Sequence, residues 1–238
     1  MTSGHPPGGG ANSFQEFVPF SVTENAPLAG RATLRLCGTM TDLPIILLAA
    51  GQSSRMRGSD KLLEEVEGLP LLRRQAAMAR RVTSGPVLVA LPPVPHPRHG
   101  ALAGLDVTPL PVPDAAEGMN ASLRTAFAAL PTDAKAAMLL LGDLPELTET
   151  DLARVARAVD LTSDTLIWRG TTEDGRPGHP IVFAAPLFPA FAALTGDTGG
   201  REVVARAGDR IALIPLPGNR ARLDLDTPEE WEAWRAGR

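Results

Sequence analysis

The sequence predicts one α/β domain, a mostly parallel sheet covered by helices on both faces, and three observations carry that expectation. From Leu43 onward, apolar runs of strand length alternate with longer amphipathic segments, the pattern of repeated βαβ units. The runs are nearly continuously apolar, as strands covered on both faces must be. The chain has 238 residues, 44% hydrophobic and 21% charged, long enough for one sizeable core and short for two.

Strands are expected at residues 45–49, 87–91, 107–111, 137–141, 165–168, 180–183 and 211–214, and helices at 71–82, 119–130, 149–159, 186–194, 200–207 and 228–235. The last helix has the clearest start: Thr227 as N-cap, Pro228 at the first position, and Glu229 and Glu230 facing the positive end of the dipole. Residues 92–99 are proline-rich and read as a loop between elements. Residues 1–39 lack periodicity and contain the run His5-Pro6-Pro7-Gly8-Gly9-Gly10. They are expected to form a disordered extension, leaving a domain over residues 40–238. Met40 stands just ahead of the first strand and is the expected natural start, which the intact mass of natively produced protein tests.

Charge and cysteine usage narrow the function. Lys and Arg total 23 against 27 Asp and Glu, a net charge of −4, which argues against a generally basic binder of nucleic acid or anionic membrane. An anionic ligand must be met by a few local cations. The single cysteine, Cys37, excludes an internal disulfide, and no Cys-His cluster has zinc spacing, so a reducing cytoplasm is expected. The longest apolar run, residues 45–50, is far below the roughly 20 residues of a membrane span.

Five segments carry chemistry. The first strand runs through Ala49-Ala50 into Gly51-Gln52-Ser53-Ser54-Arg55-Met56-Arg57-Gly58-Ser59-Asp60-Lys61, a loop of small residues that can bring backbone N–H groups to phosphates, with Arg55 and Lys61 adding charge. It matches neither a P-loop nor a dinucleotide fingerprint, and an ordinary strand-to-helix loop is the alternative. Four apolar residues then end in Gly142-Asp143-Leu144-Pro145, placing Asp143 at the carboxyl edge of a strand, where it can hold Mg²⁺. Capping the next helix is the other use of Asp143, but Thr148 already serves there. Arg222-Leu223-Asp224-Leu225-Asp226-Thr227-Pro228 reads as another strand ending in acids, with Asp224 and Asp226 on one face and Thr227 capping, which leaves Asp226 for a ligand. Gly175-Arg176-Pro177-Gly178-His179-Pro180 is either a segment that closes over substrate or a hairpin turn. Gly196-Asp197-Thr198-Gly199-Gly200-Arg201 leads a helix whose start either binds a second phosphate beside Arg201 or is capped by Asp197 or Thr198. His5, His96 and His99 show no partner and receive no role, and Trp231 and Trp234 read as a packing face.

As a set, these residues resemble a known family. Leu48-Ala49-Ala50-Gly51-x-Ser53-x-Arg55-Met56, Asp60-Lys61-Leu62-Leu63, Gly118-Met119-x-x-Ser122-Leu123, Gly142-Asp143-x-Pro145, Gly178-His179-Pro180, Gly196-Asp197-x-Gly199-x-Arg201 and Asp224-x-Asp226-Thr227-Pro228-Glu229 look like the MobA-like nucleotidyltransferases, and more narrowly the molybdenum cofactor cytidylyltransferase branch. The resemblance covers almost all of residues 43–235. It implies a single Rossmann-like nucleotide-diphospho-sugar transferase fold. The implied reaction moves CMP from CTP onto the terminal phosphate of molybdopterin, with pyrophosphate leaving. Carried over by position, the Gly51 loop with Ala49, Ala50, Ser53, Ser54, Arg55 and Lys61 would hold the triphosphate. Asp143 and Asp226 would hold Mg²⁺, Ser122 would lie near the nucleoside, and His179 and Arg201 would face the pterin or its phosphate.

Two positions depart from the family pattern: Arg57 stands where Gly usually follows Arg-Met, and Gly200 where Ala usually precedes Arg201. A phosphate attacker is already ionised near neutral pH, so no protein nucleophile or general base is needed. Positioning and electrostatics would supply the rate, with Lys61, Arg55 and Asp143 as the catalytic set. The implied partners are CTP, a phosphorylated pterin, and a molybdoenzyme or its chaperone. Guanylyl transfer to the same cofactor, transfer to another phosphorylated acceptor, and a catalytically silent nucleotide carrier are the competing readings.

Overall fold

The computed structural model describes Met1 and residues 41–238; the expectations for the leader over residues 1–39 and for a start at Met40 lie outside the described residues. The first strand, β1 (Ile45–Leu48), is apolar at every position. Its side chains divide by period: Ile45 and Leu47 enter one core, Ile46 and Leu48 the other. A small hairpin, β2 (Glu65–Val66) with β3 (Leu69–Pro70), leads into α1 (Leu71–Val82). Then come β4 (Val87–Leu91), α2 (Pro97–Ala101), β5 (Thr108–Pro111), α3 (Met119–Ala128) and β6 (Ala136–Leu141). The second half contains α4 (Glu149–Arg157), β7 (Ile167–Thr171), β8 (Pro177–Ala184), α5 (Phe188–Phe191), α6 (Arg201–Ala207), β9 (Ile211–Pro215) and α7 (Pro228–Ala236).

Seven strands form one sheet in the order β5-β4-β1-β6-β8-β7-β9. The pairs β5–β4, β4–β1, β1–β6 and β7–β9 are parallel, while β8 runs antiparallel to both its neighbours. This is the expected mostly parallel sheet with helices on both faces. One core gathers Leu71, Leu72, Ala76 and Ala79 of α1, Leu152 and Val155 of α4 and Trp231 of α7 against one face. On the other face Leu123, Ala126 and Phe127 of α3 pack with Phe183, Phe191 and Val203. Phe127 stacks on Phe191 and meets Phe183 edge-on, a geometry that adds to plain area burial.

Three expectations are corrected. Residues 222–226 form no strand. Arg222 and Leu223 donate their N–H groups back to Asn219, and Asp224 donates to Arg222, so the groups a ladder would use are consumed in a turn. Within the proline-rich stretch, α2 forms because Pro97 sits at the first helical position and His96 Nδ1 accepts from the Arg98 N–H. The single helix expected over 186–194 is a 3₁₀ turn, Ala185–Leu187, followed by the four-residue α5, each with a proline in its first turn. The 175–180 segment resolves as hairpin: its turn joins β7 to β8, and Gly178 and His179 are already in β8. A Cβ on Gly178 would overlap the Ala221 carbonyl, so only glycine lets β8 lie against the segment that carries Asp224 and Asp226.

Candidate active site

The carboxyl edge of the parallel strands delivers the functional side chains. Beyond Leu48 the chain leaves the sheet through Ala49, Ala50 and Gly51 and makes a 3₁₀ turn, Ser54–Met56. Ser53 and Arg57 flank the turn in the left-handed region, at φ of 51° and 53°, and Gly58 follows at 101°. The reversal is therefore shared between Arg57 and Gly58, which agrees with the shift of the loop's glycine by one position. Met56 is buried and pins the loop to the core, while Arg55 and Arg57 stay exposed at the surface.

Lys61 and the acids form the electrostatic centre. Asp143 follows β6, and Asp226 is freed as expected, because Thr227 and Glu230 make a complete capping box at α7. Lys61 Nζ donates to Asp143 Oδ2 and to Asp226 Oδ1, each at 2.6 Å. The other Asp226 oxygen is 2.7 Å from the Arg55 guanidinium. Burial lowers the Lys61 pKa, but the charges and hydrogen bonds of Asp143 and Asp226 outweigh it, so the ammonium stays protonated above its ordinary range.

Asp224 joins this centre: Asp143, Asp224 and Asp226 each offer an oxygen within 4.8 Å of the others. Burial, helped by the charges of Asp143 and Asp226, pushes the Asp224 carboxyl above its ordinary range against the pull of a backbone N–H and Lys61. A set of hard oxygen donors suits Mg²⁺ or Mn²⁺ better than a soft metal. Among the described residues Asp143 Oδ1 is buried without a hydrogen-bond partner, an orphan that a cation would satisfy. The residues present therefore fit a divalent cation.

The facing wall is built from α3 and the loop before α6. Asp197 Oδ1 accepts from the Met119 N–H at 2.6 Å, capping α3 from a distant loop. Gly118, at φ 123°, makes this approach possible, since a Cβ there would lie 2.8 Å from the Asp197 side chain. Asn120 donates to the Thr195 carbonyl and to Thr198 Oγ1 and accepts from the Gly200 N–H. The capping of α6 expected of Asp197 or Thr198 does not hold, because α6 is entered through Gly200 with no side-chain cap and both side chains bond to α3 residues instead.

The expected residues Ala49, Ala50, Gly51, Ser53, Ser54, Arg55, Lys61, Ser122, Asp143 and Asp226 converge on one cavity of about 420 Å³. His179 and Arg201 do not line it. Arg201 is exposed on the first turn of α6. His179 belongs to β8, with Nδ1 buried and unpartnered among the described residues. Burial, and then the charge of Arg169, hold its pKa down at about 4 against the Leu139 carbonyl and Asp143, so it is neutral at pH 7. Missing from the sequence reading are Arg98, treated below, and the His96 and His99 contacts that order its segment. The one available signal was a cation one residue after a proline-led helix start.

The model of the MobA-like NTP transferase domain matches residues 45–211, most of the chain. The chain belongs to that family. Among solved structures, this MobA-like chain is similar to Rv0371c of Mycobacterium tuberculosis H37Rv, at 27% identity and a TM-score of 0.70, over 82% of this chain and 98% of that one. A second structure of Rv0371c, in complex with manganese, aligns at 25% identity and a TM-score of 0.66, over 81% and 97% of the two chains. A nucleotidyl transferase from Methanothermobacter thermautotroptrophicus shares the fold at 20% identity and a TM-score of 0.66, over 84% and 98%. No curated protein matches the chain. The MobA-like chain is accordingly a nucleotidyltransferase with the nucleotide-diphospho-sugar transferase fold, and none of its described helices is long and apolar enough to cross a membrane.

Proposed function

We propose that this nucleotidyltransferase moves CMP from CTP to the terminal phosphate of molybdopterin and releases pyrophosphate. The observation that carries the reading is Lys61, held 2.6 Å from both Asp143 and Asp226 in the cavity beneath the Gly51 loop. Carboxylates able to hold a divalent cation, with Lys61 and Arg55 beside them at a strand edge, would supply the charge neutralisation that phosphoryl transfer between two anions needs. The loop N–H groups with Arg55 and Lys61 hold the triphosphate, Ser122 lies beside the nucleoside, and the small side chains of Ala49 and Ala50 leave the floor open. Asp143 and Asp226, with Asp224 beside them, hold Mg²⁺, which when bound neutralises phosphate oxygens; the manganese complex of Rv0371c supports a divalent ion in this fold.

The cytidylyl choice rests on Ala49-Ala50-Gly51, Gly178-His179-Pro180 and the closing Asp224-x-Asp226-Thr227-Pro228 pattern. His179 and Arg201 do not line the cavity; their proposed contact with the acceptor rests on the family resemblance alone. Lys61 and Arg55, released from the acids, counter charge growing on the leaving pyrophosphate. The acceptor phosphate attacks the α-phosphorus in line and needs no protein base. Thermal stabilisation by CTP, GTP, ATP and UTP, each with and without Mg²⁺, tests the reading, since a ligand of the native state raises its stability. A shift with CTP that requires Mg²⁺ is expected. A shift confined to GTP moves the protein to guanylyl transfer, and no shift with any nucleotide contradicts the proposal.

A further inference from the structure

Arg98 lies in none of the motifs that mark the family, yet its side chain is only 1% exposed. It sits on the first turn of α2, where Pro97 and the His96 cap set the helix start. Among the described residues, every partner of its guanidinium belongs to the loop that leaves β1. Nη1 donates to the Ala49 carbonyl at 2.6 Å, where the loop begins, and Nη2 donates to Ser53 Oγ at 2.9 Å, just before the turn. Nε and Nη2 then grip the two oxygens of Asp60, each at 2.7 Å, where the loop ends. Asp60 also accepts from the Leu62 N–H at 3.0 Å, so the same carboxylate fixes both sides of Lys61.

Apart from one side-chain bond, Ser53 Oγ donating to Asp60 Oδ1 at 3.3 Å, the loop has little hydrogen bonding of its own to hold it. Between Gly51 and Lys61 its short-range backbone bonds are Met56 N–H to Ser53 and Ser59 N–H to Met56, with Leu63 N–H reaching back to Asp60. Ser53 and Arg57 occupy left-handed conformations that non-glycine residues adopt at a cost. An enclosed guanidinium that forks onto one carboxylate and reaches two further oxygens supplies the missing restraint, and Lys could not, because it is a single point charge. Burial alone would raise the Asp60 pKa, but the Arg98 bonds and charge, with Leu62 and Ser53, hold it below its ordinary range, so the carboxylate stays ionised.

We propose that Arg98 is the positioning residue of the nucleotide loop: through Ala49, Ser53 and Asp60 it sets residues 51–61 in the shape that presents Ser54, Arg55 and Lys61 to a triphosphate. This rests on the nucleotidyltransferase reading. Arg98 acts through the loop and touches none of the three carboxylates, so its loss should weaken nucleotide binding without weakening metal binding.

The test uses the full chain as wild type, Arg98→Lys and Arg98→Met, with three readouts: Mg·CTP affinity by calorimetry, Mn²⁺ affinity by electron paramagnetic resonance, and amide exchange over residues 51–61. A displaced loop should weaken CTP binding by about 10- to 100-fold, leave Mn²⁺ affinity equal or tighter, because a shifted Lys61 frees Asp143 and Asp226, and speed loop exchange, with Arg98→Lys intermediate. Arg98→Lys keeps a charge beside Asp60, so it still reports if Arg98→Met fails to fold. Unchanged CTP affinity and loop exchange in Arg98→Lys overturn the proposal, as does an equal loss of Mn²⁺ and CTP. If the wild type binds no nucleotide, the functional reading fails instead. Loop exchange then decides alone: faster exchange upholds the positioning role, and unchanged exchange ends it.

Discussion

The two ends of the cavity are held by different kinds of interaction. At the strand edge, Lys61 and Arg55 rest on Asp143 and Asp226 in short, charged contacts that can be exchanged for phosphate oxygens and a divalent cation without disturbing the backbone. At the α3 end, Asp197 and Asn120 bind backbone groups of Met119, Thr195 and Gly200, and those bonds are part of the fold itself. One end is therefore built to change partners and the other to stay still, which suits the proposed placing of the triphosphate at the first and the nucleoside at the second.

Substitutions at the charged end should break activity before stability. Lys61→Ala is expected to lower nucleotidyl transfer by about 10²–10³-fold, the typical loss of one preorganised electrostatic group, while the urea midpoint barely moves. Initial rates of pyrophosphate release measure the first and urea titration the second. A variant within tenfold of the wild-type rate would remove Lys61 from the chemistry. Lys61→Met should also bind Mn²⁺ more tightly when no nucleotide is present, because an ammonium no longer shields Asp143 and Asp226.

His179 sharpens the contrast from beside the charged end. Its folded pKa of about 4 lies below the ordinary value of 6.5, so between those pH values the unfolded chain binds the extra proton and the folded one does not. Stability from this group is complete above pH 6.5 and is lost as pH falls through 4, by up to about 3 kcal/mol. Urea midpoints from pH 7 to pH 4 should fall less steeply in His179→Gln than in the wild type. Equal slopes would show that the imidazole already takes up its proton in the native state.

At the still end, Asp197→Ala should cost about 1 kcal/mol of stability, the usual price of a lost helix cap, with Mn²⁺ affinity unchanged. Loss of metal binding there would erase the distinction between the two ends. The smallest effect belongs to Arg57→Gly: the Arg57–Glu229 pair is 71% and 59% exposed, so removing it should change stability by no more than about 1 kcal/mol. A larger change by urea titration would mean that this contact anchors the loop to α7.

Local signals announced most of the fold. The apolar runs located β1, β4 and β6 to within a residue or so, because strands covered on both faces leave no polar gaps, and Thr148 and Thr227 are the N-caps expected of them. Asp143, Asp226 and Lys61 were legible because each follows or precedes a recognisable element. What stayed hidden was non-local. The Asp224–Asp226 segment carries alternating residues like a strand, but its N–H groups close a turn on Asn219. Asp197 lies 78 residues from the helix it caps, and Arg98 lies 38 from Asp60. No spacing rule within a single element could pair them.

The most direct test of nucleotidyl transfer at this centre is pyrophosphate release on mixing the full chain with molybdopterin, Mg²⁺ and CTP, alongside Asp143→Asn. Release matched mole for mole by CMP attached to the pterin, and lost in the variant, is the expected result. No release with any nucleoside triphosphate, or release undiminished in Asp143→Asn, would contradict the assignment of this cavity as the active site.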